Sequence, residues 1–497
     1  MKKSNFLPAL CAAALLAVVP ACSSYDDDAR DMRENWSLGN FAEAERIAAE
    51  NVADASEEDE LVWQLDHAST LRACGRRKEA SEAFELAAGT LQKWDDEAEI
   101  LLSKEALASL TNLSALPYRG RSSDAVMLHT YRALTFLELG KNDSARVALN
   151  AAFRAQRDAV ARHEEEIERA REEAAENAVS ADRLASDAEI SAKLAEQRRE
   201  ISDIRVLADY VNPFTTWLYG IYFLHAGTDG SDLERADKAL ERVAKMYPEN
   251  KFVKKDLLLC KKASAAGTSD KNLTYVIFES GTAPTLGIFR IDTMIPIPLG
   301  NGRWTPAPVS IALPKLVVSD RRRYWGVFPF AAGTYSDGRP RMEPAPALSV
   351  DGIYAEEICD MDSVVRTDFE NSFDAILTRT LVTAFVKSAA SAAANAAALE
   401  YSRRDNSAGA SIVALATIVG TSAYTYASSG ADVRCWQTLP RNFSVARLKT
   451  PKSRQLTVRV GERSRKVELV PARVNLVIVK STDSRGPLVI SQAALKE

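Results

Sequence analysis

Four histidines, His67, His129, His163 and His225, are the first place to look for metal or proton-transfer chemistry in this chain of 497 residues. They are scattered over its first half, and none has a partner at the His-x-x-x-His spacing that lets one helix face hold zinc. Glu279, Asp351, Glu356, Glu357, Asp360 and Asp362 lie in the second half, where two carboxylates brought together could serve as general acid and base. Abundant carboxylates more often solvate helix faces. No Gly-x-Ser-x-Gly turn or Walker loop is present, and Gly300-Asn301-Gly302 lacks the third glycine and following helix of a dinucleotide fingerprint. On these grounds no catalytic residue, metal or cofactor is assigned, and the chain is read as non-enzymatic.

Two phrases are specific without being catalytic. Tyr210-Val211-Asn212-Pro213-Phe214, followed by Trp217, Tyr219 and Tyr222, starts a helix with a turn-forming Asn-Pro and sets several aromatics on adjacent faces. They form either a core cluster that caps a repeat or an aromatic groove for a peptide or partner helix. In the second phrase, Asp432 and Arg434 can hold a bend through a charge-assisted bond while Trp436 plugs the core, as a structural latch or as a site.

The elements that must position these residues begin with a leader. Lys2 and Lys3 precede an apolar run over 6–19, and Val19-Pro20-Ala21-Cys22 sets small residues directly before a thiol. The run is shorter than the ~20 residues that span a bilayer. A cysteine in this place resembles the lipobox of bacterial lipoproteins, in which the thiol is diacylated and becomes the mature N-terminus. On that resemblance 1–21 is a lipoprotein signal peptide, Cys22 is the lipidation site, and 22–31 is a short polar, acidic tether. Ser23 resembles the outer-membrane sorting pattern, with the lipid-anchored chain facing the periplasm and surface exposure left open.

From Met32 the periodicity is helical. A local phrase recurs at Gly39-Asn40-Phe41, Gly75-Arg76 and Gly140-Lys141-Asn142, each glycine sitting between an apolar helix and an amphipathic one. The first two glycines lie about one 34-residue tetratricopeptide (TPR) period apart, and the next interval is about two. Each glycine accepts the positive φ of a turn between antiparallel helices. A last unit runs to Tyr247-Pro248, so 32–265 reads as a TPR-like α-superhelix. Within it, 155–206 is a charged helical insertion: one long helix, or a hairpin broken near Asn177 to Ser180. It either projects as a contact arm or folds back over the superhelix.

Composition shifts at 264–272, and 272–497 reads as a C-terminal α+β domain of antiparallel strands and small-residue-rich helices. Pro314 marks an edge or irregular strand. The stretch 407–427 carries no charge and is long enough to span a membrane; a buried helix or helical hairpin is preferred, a membrane element stays open. Cys74 and Cys260 are expected as buried thiols, although four widely spaced cysteines (with Cys359 and Cys435) also allow disulfides. A net charge of −5 argues against nucleic acid, which requires a basic face.

In order, the lipobox, TPR-like helices, charged insertion, Tyr210 to Phe214, Gly281-Thr282-Ala283-Pro284, the helix over 373–387 and Asp432 to Pro440 resemble a family of uncharacterised TPR-like lipoproteins of Gram-negative bacteria. Its members are often encoded beside lipoproteins similar to the curli-secretion channel protein or the penicillin-binding-protein activators. Cys435, where members usually carry a small residue, departs from the pattern. The resemblance lends no catalytic residues. It implies a protein–protein interaction scaffold in a multi-lipoprotein envelope assembly, with companion lipoproteins as partners. The alternatives are a cell-wall-acting enzyme or ligand-binding protein built on the C-terminal carboxylates, and a membrane-inserting assembly or pore component.

Overall fold

A computed structural model describes residues 24–96, 116–176, 188–202, 204–207, 211–266, 272–300, 303–318, 347–483 and 486–496. The leader, Cys22, the break near Asn177 to Ser180, and Tyr210 lie outside the described residues.

The acidic stretch expected as a tether is helical. Helix α1 (Ser24–Leu38) buries Ala29, Met32 and Trp36, three and four residues apart, while Asp26 and Asp27 occupy its first turn. Carboxylates there face the positive end of the helix dipole, so acidity favours a helix start at this point. The Trp36 ring meets Phe41 edge-on at the start of α2 (Phe41–Asp54), and α3 (Glu60–Ala73) and α4 (Arg77–Asp96) follow. After α5 (Ser122–Glu138) and α6 (Asn142–Glu176) comes α7 (Ala188–Glu200). Then α8 (Pro213–Ala226), α9 (Gly230–Met246) and α10 (Lys251–Ala266) complete the helical region. Successive helices pack as interacting pairs: α3 on α4, α5 on α6, α8 on α9. The glycines expected at the turns have the left-handed backbone that an L side chain resists: φ is 80° at Gly39, 79° at Gly75 and 72° at Gly140.

The C-terminal region is mixed. Its main sheet has the order β11-β10-β1-β7-β6, from β1 (Leu273–Ser280), β6 (Glu356–Asp360), β7 (Asn442–Lys449), β10 (Val474–Ser481) and β11 (Val489–Lys496). The expectation of an all-antiparallel sheet is corrected here. Its central pair, β1 and β10, is parallel, with Leu273 opposite Val474 and Ser280 opposite Ser481. Both strands are buried along their whole length, as a parallel pair covered on both faces must be. A second sheet, β5-β4-β8-β9, joins β4 (Leu348–Val350), β5 (Ile353–Tyr354), β8 (Gln455–Val460) and β9 (Arg463–Glu468). Strands β2 (Thr285–Gly300) and β3 (Arg303–Val317) form a long hairpin of their own. Both of its strands are edges, which is why Pro314 is tolerated opposite Ile288.

Helix α11 (Met361–Asp405) starts on β6 and runs 45 residues, about 67 Å at 1.5 Å per residue, before α12 (Ala408–Ala427) returns beside it. The helical and mixed regions share one core: Trp36, Tyr131, Trp217, Tyr275 and Phe443 belong to a continuous buried cluster. A second cluster, around Ile190, Ile311, Phe369 and Cys435, joins α7, β3 and α11. The charged insertion therefore divides: its first part, the end of α6, lies on the helix pairs, with Arg162 3.5 Å from Asp95 of α4 and His163 against Ser122 of α5. Its α7 packs on the β2–β3 hairpin through Ile190, and Gln197 Nε2 donates to the Pro314 carbonyl at 3.0 Å.

Candidate functional site

Helix α8 positions the first group of candidates. Asn212 precedes Pro213, whose ring favours the first helical position, and its side-chain oxygen accepts the Thr215 N–H at 3.1 Å. The helix start is thus written locally. Phe214 stacks on Phe443 with centroids 3.8 Å apart. Trp217 Nε1 donates to Asp256 at 3.2 Å, Tyr219 stacks on Phe153, and the Tyr222 hydroxyl donates to the Asn142 carbonyl at 2.8 Å. From Pro213 to His225 every residue is buried. Phe214 and Trp217 join α8 to the sheet and Tyr219 and Tyr222 join it to α6; they do not line an open groove.

The second group forms a clasp between the regions. Arg434 grips Asp432 with two nitrogens, at 2.8 and 2.9 Å, then reaches the helical region through the Glu58 carbonyl, Asp59 and the Leu116 carbonyl. Burial would raise the Asp432 carboxyl, but Arg434 beside it pulls the pKa below the ordinary value. Trp436 Nε1 donates to Ser69 at 3.1 Å and its ring meets Tyr131 edge-on. Asp66 accepts the next two backbone N–H groups, from Gln437 at 3.1 Å and Thr438 at 3.0 Å; burial pushes its carboxyl up to about 8. A cavity of about 20 Å³ beside Cys435 holds no more than a water-sized guest. Asp432, Arg434 and Trp436 are brought together as a latch.

The six carboxylates do not converge on one site. Glu279, deep in the core, takes Arg72 at 3.0 Å and Lys480 at 2.7 Å; burial would raise it, and the two cations bring it down to about 2. Glu138 holds Arg72 from the other side at 3.0 Å. Asp351 accepts the Thr457 N–H, Glu356 pairs with Lys251, Asp360 caps α11, and Asp362 binds Arg441. The Glu357 carbonyl accepts from Asn250.

Sequence spacing missed one constellation. Ser122 and Ser123 open α5, His163 lies in α6 and Asp368 in α11, up to 246 positions apart, so no local motif announces them. The Ser122 hydroxyl is 3.3 Å and Asp368 Oδ1 2.9 Å from His163, but both meet the same nitrogen, Nε2. A relay needs serine and carboxylate on opposite imidazole nitrogens. Asp368 also accepts from the Ser123 backbone and hydroxyl at 2.9 and 2.7 Å. The cluster bolts α11 to the helix pairs. Among the described residues no group of three or more His, Cys, Asp or Glu is placed to hold a metal, and Cys74, Cys260, Cys359 and Cys435 are free thiols.

The uncharged stretch behaves differently from all of these. It forms a helical hairpin with α11, but most of it is not buried: only Ala410, Ala414 and Thr425 of α12 are fully buried. Ile412, Leu415 and Val419 are 68%, 63% and 60% exposed. Small residues suit the seam with α11, and among the described residues nothing on the outer side covers Ile412, Leu415 and Val419.

No protein-family model, curated protein or solved structure matches the chain.

Proposed function

We propose that the protein is a lipid-anchored envelope scaffold, held by Cys22 in the outer membrane and facing the periplasm, that binds companion lipoproteins rather than turning over a substrate. In this reading the helix pairs are degenerate TPR-like units. The observation that carries it is how the charged side chains are placed. Of those that sequence inspection offered, Glu279, Glu356 and Arg434 join the helix pairs to the mixed region, through Arg72, Lys251 and Asp59, and Asp351, Asp360 and Asp362 are engaged within the mixed region. A body welded in this way presents the helix pairs and the α11–α12 hairpin in fixed relation, which favours holding partners over housing a reaction.

Two measurements test the reading. Metabolic labelling with a clickable palmitate analogue marks the mature protein at Cys22 and leaves the Cys22→Ala variant unmarked; an unmarked wild type contradicts the anchor. Affinity purification from detergent-solubilised membranes at native expression returns defined envelope lipoproteins, and recovery of the protein alone contradicts the scaffold.

A further inference from the structure

We propose that the outer face of the distal α11–α12 hairpin inserts into a lipid bilayer, the membrane that the Cys22 anchor, on the reading above, holds beside it. Residues 406–431 form a run of 26 without a single charge. The 20 residues of α12 extend about 30 Å, the thickness of a hydrocarbon core. The facing stretch of α11, residues 388–399, is uncharged as well, and the charges return at the tip with Glu400, Arg403, Arg404 and Asp405, all exposed.

The hairpin is inside out by the standard of a protein in water. Four of its polar side chains are turned into the seam: Ser391 meets Thr425 at 3.0 Å, and Thr421 donates to Asn395 at 2.8 Å. Its branched aliphatics, Ile412, Leu415 and Val419, face outward. Hydrogen bonds between small-residue helices with apolar side chains outside is the arrangement that lipid favours. A second copy of the chain is the weaker occupant. At 100° per residue the exposed positions, from Ala408 to Ala427, sweep an arc of about 200°, twice the ~100° stripe by which a helix packs on one neighbour. Lipid covers such an arc without needing a shaped partner.

Where the chain outside the structure ends supplies the second argument. Tyr25, three residues after Cys22, donates to the Cys435 carbonyl at 3.3 Å. Cys435 lies four residues beyond the end of the uncharged run, at most about 14 Å of extended chain. The described chain therefore begins beside the base of the hairpin, and on the reading above the anchor is three residues from that point. Trp304, 53% exposed at the end of the β2–β3 hairpin, is an amphipathic ring of the kind that favours headgroup depth, and Ile297 and Ala307 of that hairpin pack on Ala392 of α11.

The test uses the mature chain (residues 22–497) with Cys22→Ala, which keeps every described element and carries no acyl group, and neutral phosphatidylcholine vesicles. It floats with the vesicles in a density gradient. The double variant Leu415→Lys, Val419→Lys keeps its circular dichroism and melting curve, because those side chains face outward, while its lipid partitioning falls roughly a hundredfold. Three results would overturn the proposal: the Cys22→Ala chain stays out of the lipid fraction; the lysine variant floats as well as its parent; or light scattering in buffer shows an oligomer that the lysines dissociate, which assigns the face to a second copy. Failure to float leaves acylation of Cys22 standing, and a missing palmitate label leaves flotation standing, so the two readings fail separately.

Discussion

Helices α8 and α12 make an instructive pair. Both are apolar and free of Asp, Glu, Lys and Arg, yet α8 is buried from Pro213 to His225 while α12 covers three of its residues. Side-chain volume separates them. Phe214, Trp217, Tyr219, Tyr222 and Phe223 fill space on every side of α8, where α6, α9, α10 and the main sheet meet. In α12 the small side chains face α11, so the helices pack closely, and Ile412, Leu415 and Val419 are left outside with nothing opposite among the described residues. Apolarity alone does not say whether a helix enters a protein core; the surfaces around it decide.

The largest expected effect is on the buried side. Phe214→Ala removes the ring stacked on Phe443 and costs about 3–5 kcal/mol, read by denaturant unfolding. A cost below about 1 kcal/mol would mean that the core does not depend on α8 as described. Next is the latch: Arg434→Met leaves the half-buried Asp432 without its bidentate partner and the Glu58 and Leu116 carbonyls without their donor, and destabilises by about 2 kcal/mol. Restoring neutrality with Asp432→Asn in the same chain recovers part of that loss, and an additive double variant argues against the pairing.

The third effect depends on pH. His225 is held neutral against Tyr275, with Nε2 3.0 Å from the hydroxyl; burial, aided by Arg447 and Lys496, lowers its pKa to about 3. The unfolded imidazole titrates near 6.5. Between these values the unfolded chain binds the proton and the folded chain does not, so this contribution to stability falls as pH drops from about 6.5 toward 3. Its slope is at most about 1.4 kcal/mol per pH unit. His225→Gln removes that part of the acid slope; parallel curves for variant and wild type contradict it. The smallest effect lies on the exposed side. Leu415→Ala changes stability in buffer by no more than about 0.5 kcal/mol, and a core-sized loss would mean that α12 is covered in solution.

Local signals in the chain were legible and distant pairings were not. Gly39, Gly75 and Gly140 mark turns through a backbone requirement that one residue type meets, and Asn212-Pro213 announces a helix start through its cap. Asp432 and Arg434 sit two positions apart, so their bond is readable, though its reach to Asp59 is not. The parallel pairing of β1 with β10 joins segments about two hundred residues apart, and nothing local encodes it. The acidity of 23–30 suggested a solvated tether because the burial of Ala29, Met32 and Trp36 comes from surfaces elsewhere in the chain. The charge-rich insertion hid the few apolar residues, Ile190 and Leu194 of α7 among them, that join the cluster around the β2–β3 hairpin.

Hydrogen exchange on the mature Cys22→Ala chain, with and without phosphatidylcholine vesicles, sets the two apolar helices against each other in one experiment. The account predicts slow exchange over Pro213–Ala226 in both conditions, and vesicle-dependent slowing of about tenfold or more over Ala408–Ala427. Exchange over Ala408–Ala427 that is unchanged by vesicles would contradict it.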